Sequence, residues 1–172
     1  MTTIKKFHWF WAWDDEKEEA WLREMSQQGW HLKSYQFPSN YKFEKGNPVD
    51  YVYRLDYFVD RKDIESYLQL FQDAGWDHMG EMGGWQYFRK ETINGEAPEI
   101  YSDNESKKKK YQRLLMFLVI FFPIYSNLLF ITNRSSSIFM QVFTFVMFAF
   151  ILIYVYAMVR LLHRITQLKK KI

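Results

Sequence analysis

The side chains that could do chemistry are few in kind and scattered along the chain. There is no cysteine, so disulfides, thiolate metal sites and cysteine nucleophiles are excluded. The four histidines, His8, His31, His78 and His163, form no His-x-x-x-His or His-Glu-x-x-His spacing, so no zinc site is expected and the rings are read as half-buried or surface groups. Carboxylates cluster at Asp14-Asp15-Glu16 and at Asp60 with Asp63, where helix starts give them a structural reason to be. No pair stands out as a general acid and base. Ser39 and Ser66 lack a nucleophile-elbow context, and Gly80 to Gly84 lacks the lysine of a phosphate loop. No catalytic residue, metal or cofactor is therefore assigned. The aromatic side chains remain. All seven tryptophans precede residue 90, and Trp9, Trp11, Trp30, Trp76 and Trp85 are the candidate binding surface or pocket, with a packed aromatic core as the alternative use.

These residues are carried by a repeated unit. At an offset of 46, Asp14 matches Asp60, Leu22 matches Leu68, Gly29 matches Gly75, Trp30 matches Trp76 and Tyr41 matches Tyr87. Each copy opens on an alternating strand: Phe7, Trp9, Trp11 and Trp13 in one, Tyr51, Tyr53, Leu55 and Tyr57 in the other. Phe10 makes both faces of the first strand apolar, as in a buried central strand. Asp14 or Asp60 then caps a helix whose apolar stripe is Ala20, Trp21, Leu22 and Met25, or Ile64, Tyr67, Leu68 and Phe71. Gly29 and Gly75 stop the helices in a left-handed conformation. Trp30 or Trp76 then opens a second strand, and after a turn a last strand follows around Tyr41 to Phe43 or Trp85 to Phe88, with Gly46-Asn47-Pro48 separating the copies. The expected fold is α+β: a duplicated β-α-β-β unit forming an antiparallel or mixed sheet with two helices, as one sheet or two layers.

Charge divides the chain. Residues 1–100 carry 12 Lys/Arg against 18 Asp/Glu, and residues 101–172 carry 11 against 2. An acidic domain repels a phosphate backbone, so nucleic acid is excluded as a partner despite the net charge of +3. The start, Met1 to Lys6, lacks the apolar core and cleavage site of a signal peptide. Residues 114–131 and 138–159 contain no charged residue and are read as a two-helix transmembrane hairpin. Lys107, Lys108, Lys109, Lys110 and Arg113 precede it, and Arg160 and Arg164 follow it, whereas the turn holds only Arg134. The positive-inside rule then puts both termini in the cytoplasm. Pro123 removes a backbone donor from the first span and invites a kink. Tyr111 and Tyr156 serve as interfacial anchors.

The segments are thus a cytoplasmic duplicated domain over 1–92, a mobile polar linker with a basic collar over 93–113, the two spans, and a basic tail over 160–172. The stretches WLREMSQQGWHL (Trp21 to Leu32), YVYRLDY (Tyr51 to Tyr57), YLQLFQDAGWDHMG (Tyr67 to Gly80) and GWQYFRK (Gly84 to Lys90) resemble domain-of-unknown-function family 2812. The resemblance covers about residues 5 to 90. It implies a membrane-associated protein of mainly Gram-positive bacteria, often encoded near phenolic-acid-responsive repressors, and assigns no catalytic residue.

The expected function is a non-enzymatic, membrane-tethered module that senses or binds a small apolar ligand or another protein at the lipid bilayer. An accessory subunit of a transporter or signalling complex is the alternative, and an enzyme with an unrecognised site is the third.

Overall fold

The two repeats pair their strands separately, so the duplicated unit becomes two antiparallel three-stranded sheets. The computed structural model describes residues 2–36, 39–92, 96, 98–101, 104–132 and 137–170. The first sheet holds β1 (Thr3–Phe7), β2 (Trp30–Gln36) and β3 (Asn40–Lys45) in the order β1-β3-β2, with α1 (Asp15–Gln27) between β1 and β2 in sequence. The second holds β4 (Tyr51–Tyr57), β5 (Asp77–Met82) and β6 (Trp85–Glu91) in the order β4-β6-β5, with α2 (Ile64–Asp73) in the matching place. Then come α3 (Asn104–Thr132) and α4 (Ile138–Lys169). The chain divides into two compact units, Met1–Ser102 and Asp103–Ile172.

In the second sheet β4 and β6 are buried on both faces. Val52 and Phe88 pack with Phe71 of α2 and with Trp76, while Tyr53, Leu55 and Tyr57 on the opposite face of β4 are equally buried. In the first sheet Tyr41 and Phe43 of β3 turn inward, where Trp21 of α1 meets both rings at 4.8 and 5.5 Å. α1 also closes the open edge of β4. The Leu55 N–H donates to Glu19 Oε1 at 2.8 Å, and the Tyr51 N–H donates to Ser26 Oγ at 3.3 Å. An uncovered edge strand would present these donors to water or to another chain. Asp50 reinforces the same junction, taking Arg23 through both carboxylate oxygens at 2.7 Å and Gln27 and Thr92 beside it. The Arg23 hydrogen bonds hold the Asp50 carboxyl down, to about 2.

The helix stops are as the sequence predicts. Gly29 and Gly75 take φ of 76° and 78°, a conformation costly for any residue with a Cβ.

Three local expectations change. β1 ends at Phe7 and is an edge strand, so Trp9, Trp11 and Trp13 are not its continuation. Its partner β3 begins at Asn40; after Phe7 pairs with Asn40 and the His8 N–H reaches Ser39 O at 3.1 Å, no strand among the described residues pairs with the tryptophans. Asp14 holds the N-cap position, yet its carboxylate pairs with Lys17 at 2.7 Å and not with backbone donors. Asp60 caps no helix: its side chain accepts the Lys62 N–H at 3.0 Å, and α2 starts at Ile64, behind Asp63. The polar stretch after β6 is also partly docked, since Glu99 pairs with Arg54 at 3.0 Å and Ile100 packs against the Val52–Phe88 cluster. The turn around Arg134, Asn94-Gly95 and Lys171 lie outside the described residues.

α3 and α4 pack as an antiparallel pair, and both are long and apolar enough to cross a membrane. Tyr154 donates to the Leu118 carbonyl, and Arg164 lies over the Tyr111 ring and donates to its hydroxyl. Lys107 to Lys110 and Arg113 form the first turns of α3, so the basic collar is helical. Lys108 pairs with Glu105 and Lys110 is buried. α3 runs through Pro123, whose carbonyl accepts from Ser126 Oγ at 3.0 Å and Asn127 Nδ2 at 2.8 Å. Both side chains thus hydrogen-bond back to their own helix.

Candidate functional site

The buried face of α1 is acidic as well as apolar. Asp15, Glu18 and Glu19 continue the stripe of Leu22, Met25 and Ser26 at helical spacing, and all six are buried. Glu18 lies between the two sheets. Tyr41 of the first and Tyr87 of the second both donate to its Oε1, at 2.8 and 2.7 Å. Burial raises the Glu18 carboxyl above its ordinary value; the hydrogen bonds from Tyr87 and Tyr41 pull it down, and the charge of Asp15 pushes it up again. Burial together with the Glu18 carboxylate raises both tyrosine hydroxyls far above their ordinary range. These phenols therefore stay protonated as donors at any physiological pH.

Beside this triad opens a cleft of about 200 Å³. Asp15 and Glu18 lie in its wall with Tyr35 and Tyr87, whose rings stack at 5.6 Å, and Leu55 and Met82 contribute apolar surface from the second sheet. Trp9, Trp11 and Trp85 supply three indoles. Trp85 is buried against Tyr57 at 5.5 Å. Trp9 and Trp11 meet edge to face at 5.6 Å on the loop released from β1, and Trp11 stacks on Trp13 at 5.1 Å. Both Trp9 and Trp11 remain exposed, at 49% and 42%. Ser39, in a left-handed conformation at φ 69°, borders the cleft and holds the start of that loop through its carbonyl.

Of the five tryptophans singled out from sequence, Trp9, Trp11 and Trp85 come together here. Trp76 is part of the α2 core, and Trp30 lies under Lys45 Nζ at 4.6 Å, away from the cleft. Sequence reasoning missed Asp15, Glu18, Tyr35 and Tyr87. The signal was present: extending the Leu22–Met25 stripe one turn toward the N-terminus lands on Glu18 and then Asp15.

A second, open groove of about 450 Å³ is lined by His31, Lys33, Glu44, Lys45, Tyr51 and Arg89. Its cations are already engaged, with Lys33 on Glu44 at 3.1 Å and Arg89 over the Tyr51 ring at 4.6 Å. His31 Nε2 lies 2.8 Å from the Asn47 carbonyl, and His78 Nε2 lies 2.9 Å from Gln86 Oε1. Among the described residues no three His, Asp or Glu side chains are grouped so as to hold a metal ion.

No curated protein and no solved structure matches the chain. Residues 14–123 match a family described as protein of unknown function, DUF2812. The match spans α1 to Pro123 in α3; it includes the acidic wall of the cleft and Trp85, and it begins after Trp9 and Trp11. With well over half of its length matched, the chain belongs to the DUF2812 family.

Proposed function

We propose that the protein is a membrane-anchored binding module without catalytic activity, whose inter-sheet cleft captures a small ligand with an apolar body. α3 and α4 cross the cell membrane as a hairpin, and both termini lie in the cytoplasm. The cleft is the observation that carries this reading. Three indoles and two phenols converge on about 200 Å³, where an apolar cavity of about 150 Å³ already accommodates a benzene ring. Two exposed tryptophans on one loop are also costly to leave uncovered, and such patches mark contact sites. The membrane assignment is supported by the two long apolar helices and by Lys107 to Lys110, Arg113, Arg160 and Arg164 at their flanks.

Binding is tested by calorimetric titration of the full-length protein in lipid nanodiscs with single-ring aromatic compounds. Trp9→Ala and Trp85→Ala should weaken binding several-fold while membrane insertion is unchanged. Equal affinity in both variants would remove the cleft from consideration. Topology is tested by cysteine labelling, for which the cysteine-free sequence provides a clean background. An impermeant maleimide should label Ser137→Cys in intact cells and Thr2→Cys only after lysis. The reverse pattern would invert the membrane assignment.

A further inference from the structure

The cleft carries a charge requirement as well as an apolar one, and this deepens the binding-module reading, on which it rests. Glu18 is 7% exposed and lies in the cleft wall. Both of its hydrogen bonds, from Tyr41 and Tyr87, fall on Oε1, so Oε2 accepts from no donor among the described residues. Asp15, 2% exposed, adds a second carboxyl to the same wall. Among the described residues lining the cleft there is no lysine, arginine or histidine. Glu18 Oε2 keeps its capacity to accept where the cleft opens, and a cation brought to a largely buried carboxylate is held by a charge-assisted hydrogen bond. The remaining walls are the π faces of Trp9, Trp11 and Trp85 with Tyr35 and Tyr87, the surfaces that attract an organic cation most strongly. A neutral ligand would fill the volume and bring at most an uncharged donor to Oε2. An anion would face two carboxyls.

We propose that the cleft is a site for a small organic cation, an ammonium group attached to one aromatic ring or a body of that size. The ammonium lies against Glu18 Oε2 and the apolar body lies between the indoles.

The test is a charge series on one skeleton, titrated calorimetrically against the full-length protein in nanodiscs at neutral pH: 2-phenylethylammonium, 2-phenylethanol and phenylacetate. The ammonium should bind about tenfold more tightly than the alcohol, with phenylacetate weakest. In Glu18→Gln the preference for the ammonium over the alcohol should fall to about twofold while alcohol binding holds, because the volume is kept and the charge is lost. All seven tryptophans lie in the first unit, so their emission verifies that this variant is folded. Should Glu18→Gln not fold, Asp15→Asn and the wild-type series decide. Equal binding of ammonium and alcohol overturns the charge requirement and leaves the binding module standing. Tightest binding of phenylacetate overturns it as well. No binding by any of the three sinks both.

Discussion

The two repeats share one grammar and divide its uses. In the second, β4 runs seven residues to Tyr57 and α2 presents Phe71 to a closed apolar cluster. In the first, β1 stops at Phe7, and the residues that would extend it become a loop of exposed indoles. The helices differ correspondingly. Glu18 of α1 occupies the position that Ile64 holds in α2, at the offset of 46. Only α1 leaves its own sheet to cover the edge of the other, through Glu19 and Ser26. The first copy, with its shorter strand and acidic helix start, supplies most of the cleft wall, and the second adds Leu55, Met82, Trp85 and Tyr87. Duplication allows this because a second intact copy supplies the burial that the first no longer does.

Substitutions at matched positions sharpen or break this contrast, read by urea unfolding of the full chain in detergent through tryptophan emission. The largest loss is expected at the closed cluster, where Phe71→Ala should cost about 3–5 kcal/mol and its counterpart Met25→Ala about 2–5 kcal/mol. Glu18→Ala comes next, since it strands the buried hydroxyls of Tyr41 and Tyr87 at about 1–3 kcal/mol each; Ile64→Ala, half-buried, should cost only about 1 kcal/mol. Equal losses at 18 and 64 would refute the contrast between the two helix starts.

The helix stops offer a third pair. Alanine in a left-handed conformation costs about 1–2 kcal/mol at either glycine. At Gly29 the new Cβ would also lie 2.6 Å from the Gly46 carbonyl oxygen, whereas at Gly75 it meets only the end of Lys90 at 3.4 Å. Gly29→Ala should therefore be the more damaging by about 1 kcal/mol or more.

The smallest effects are in pH dependence, and here two carboxylates of the first unit act with opposite sign. Asp50 binds its proton less readily folded than unfolded, so its contribution is present at neutral pH and lost as pH falls from about 4 to about 2. Glu18 binds its proton more readily when folded, so stability declines as pH rises through the window above its ordinary value. Glu18→Gln should remove that decline, and Asp50→Asn should flatten the acid limb. A variant pair with the same acid profile would show that neither carboxyl is coupled to folding.

Much of the architecture was legible from the residues. The offset-46 matches, the glycine stops at 29 and 75, and the α+β order of elements follow from local chemistry that the fold retains. So do the two long apolar helices, since their segments are apolar nearly all round. Of the tryptophans singled out from the sequence, Trp9, Trp11 and Trp85 line the cleft, whereas Trp76 packs against α2 and Trp30 lies under Lys45.

Tertiary structure decided the rest. Alternation from Phe7 to Trp13 reads as a strand, but a strand needs a partner, and β3 does not extend far enough to provide one. Whether six strands make one sheet or two depends on pairing between distant segments, which no local pattern encodes. The acids of α1 carry the clearest lesson. At the start of a helix a run of Asp and Glu has a sufficient local explanation, so sequence alone gives no reason to bury any of them. Only when α1 is packed between the sheets do Glu18 and Asp15 leave solvent, because Tyr41 and Tyr87 arrive from different copies to meet the carboxylate that two distant segments enclose.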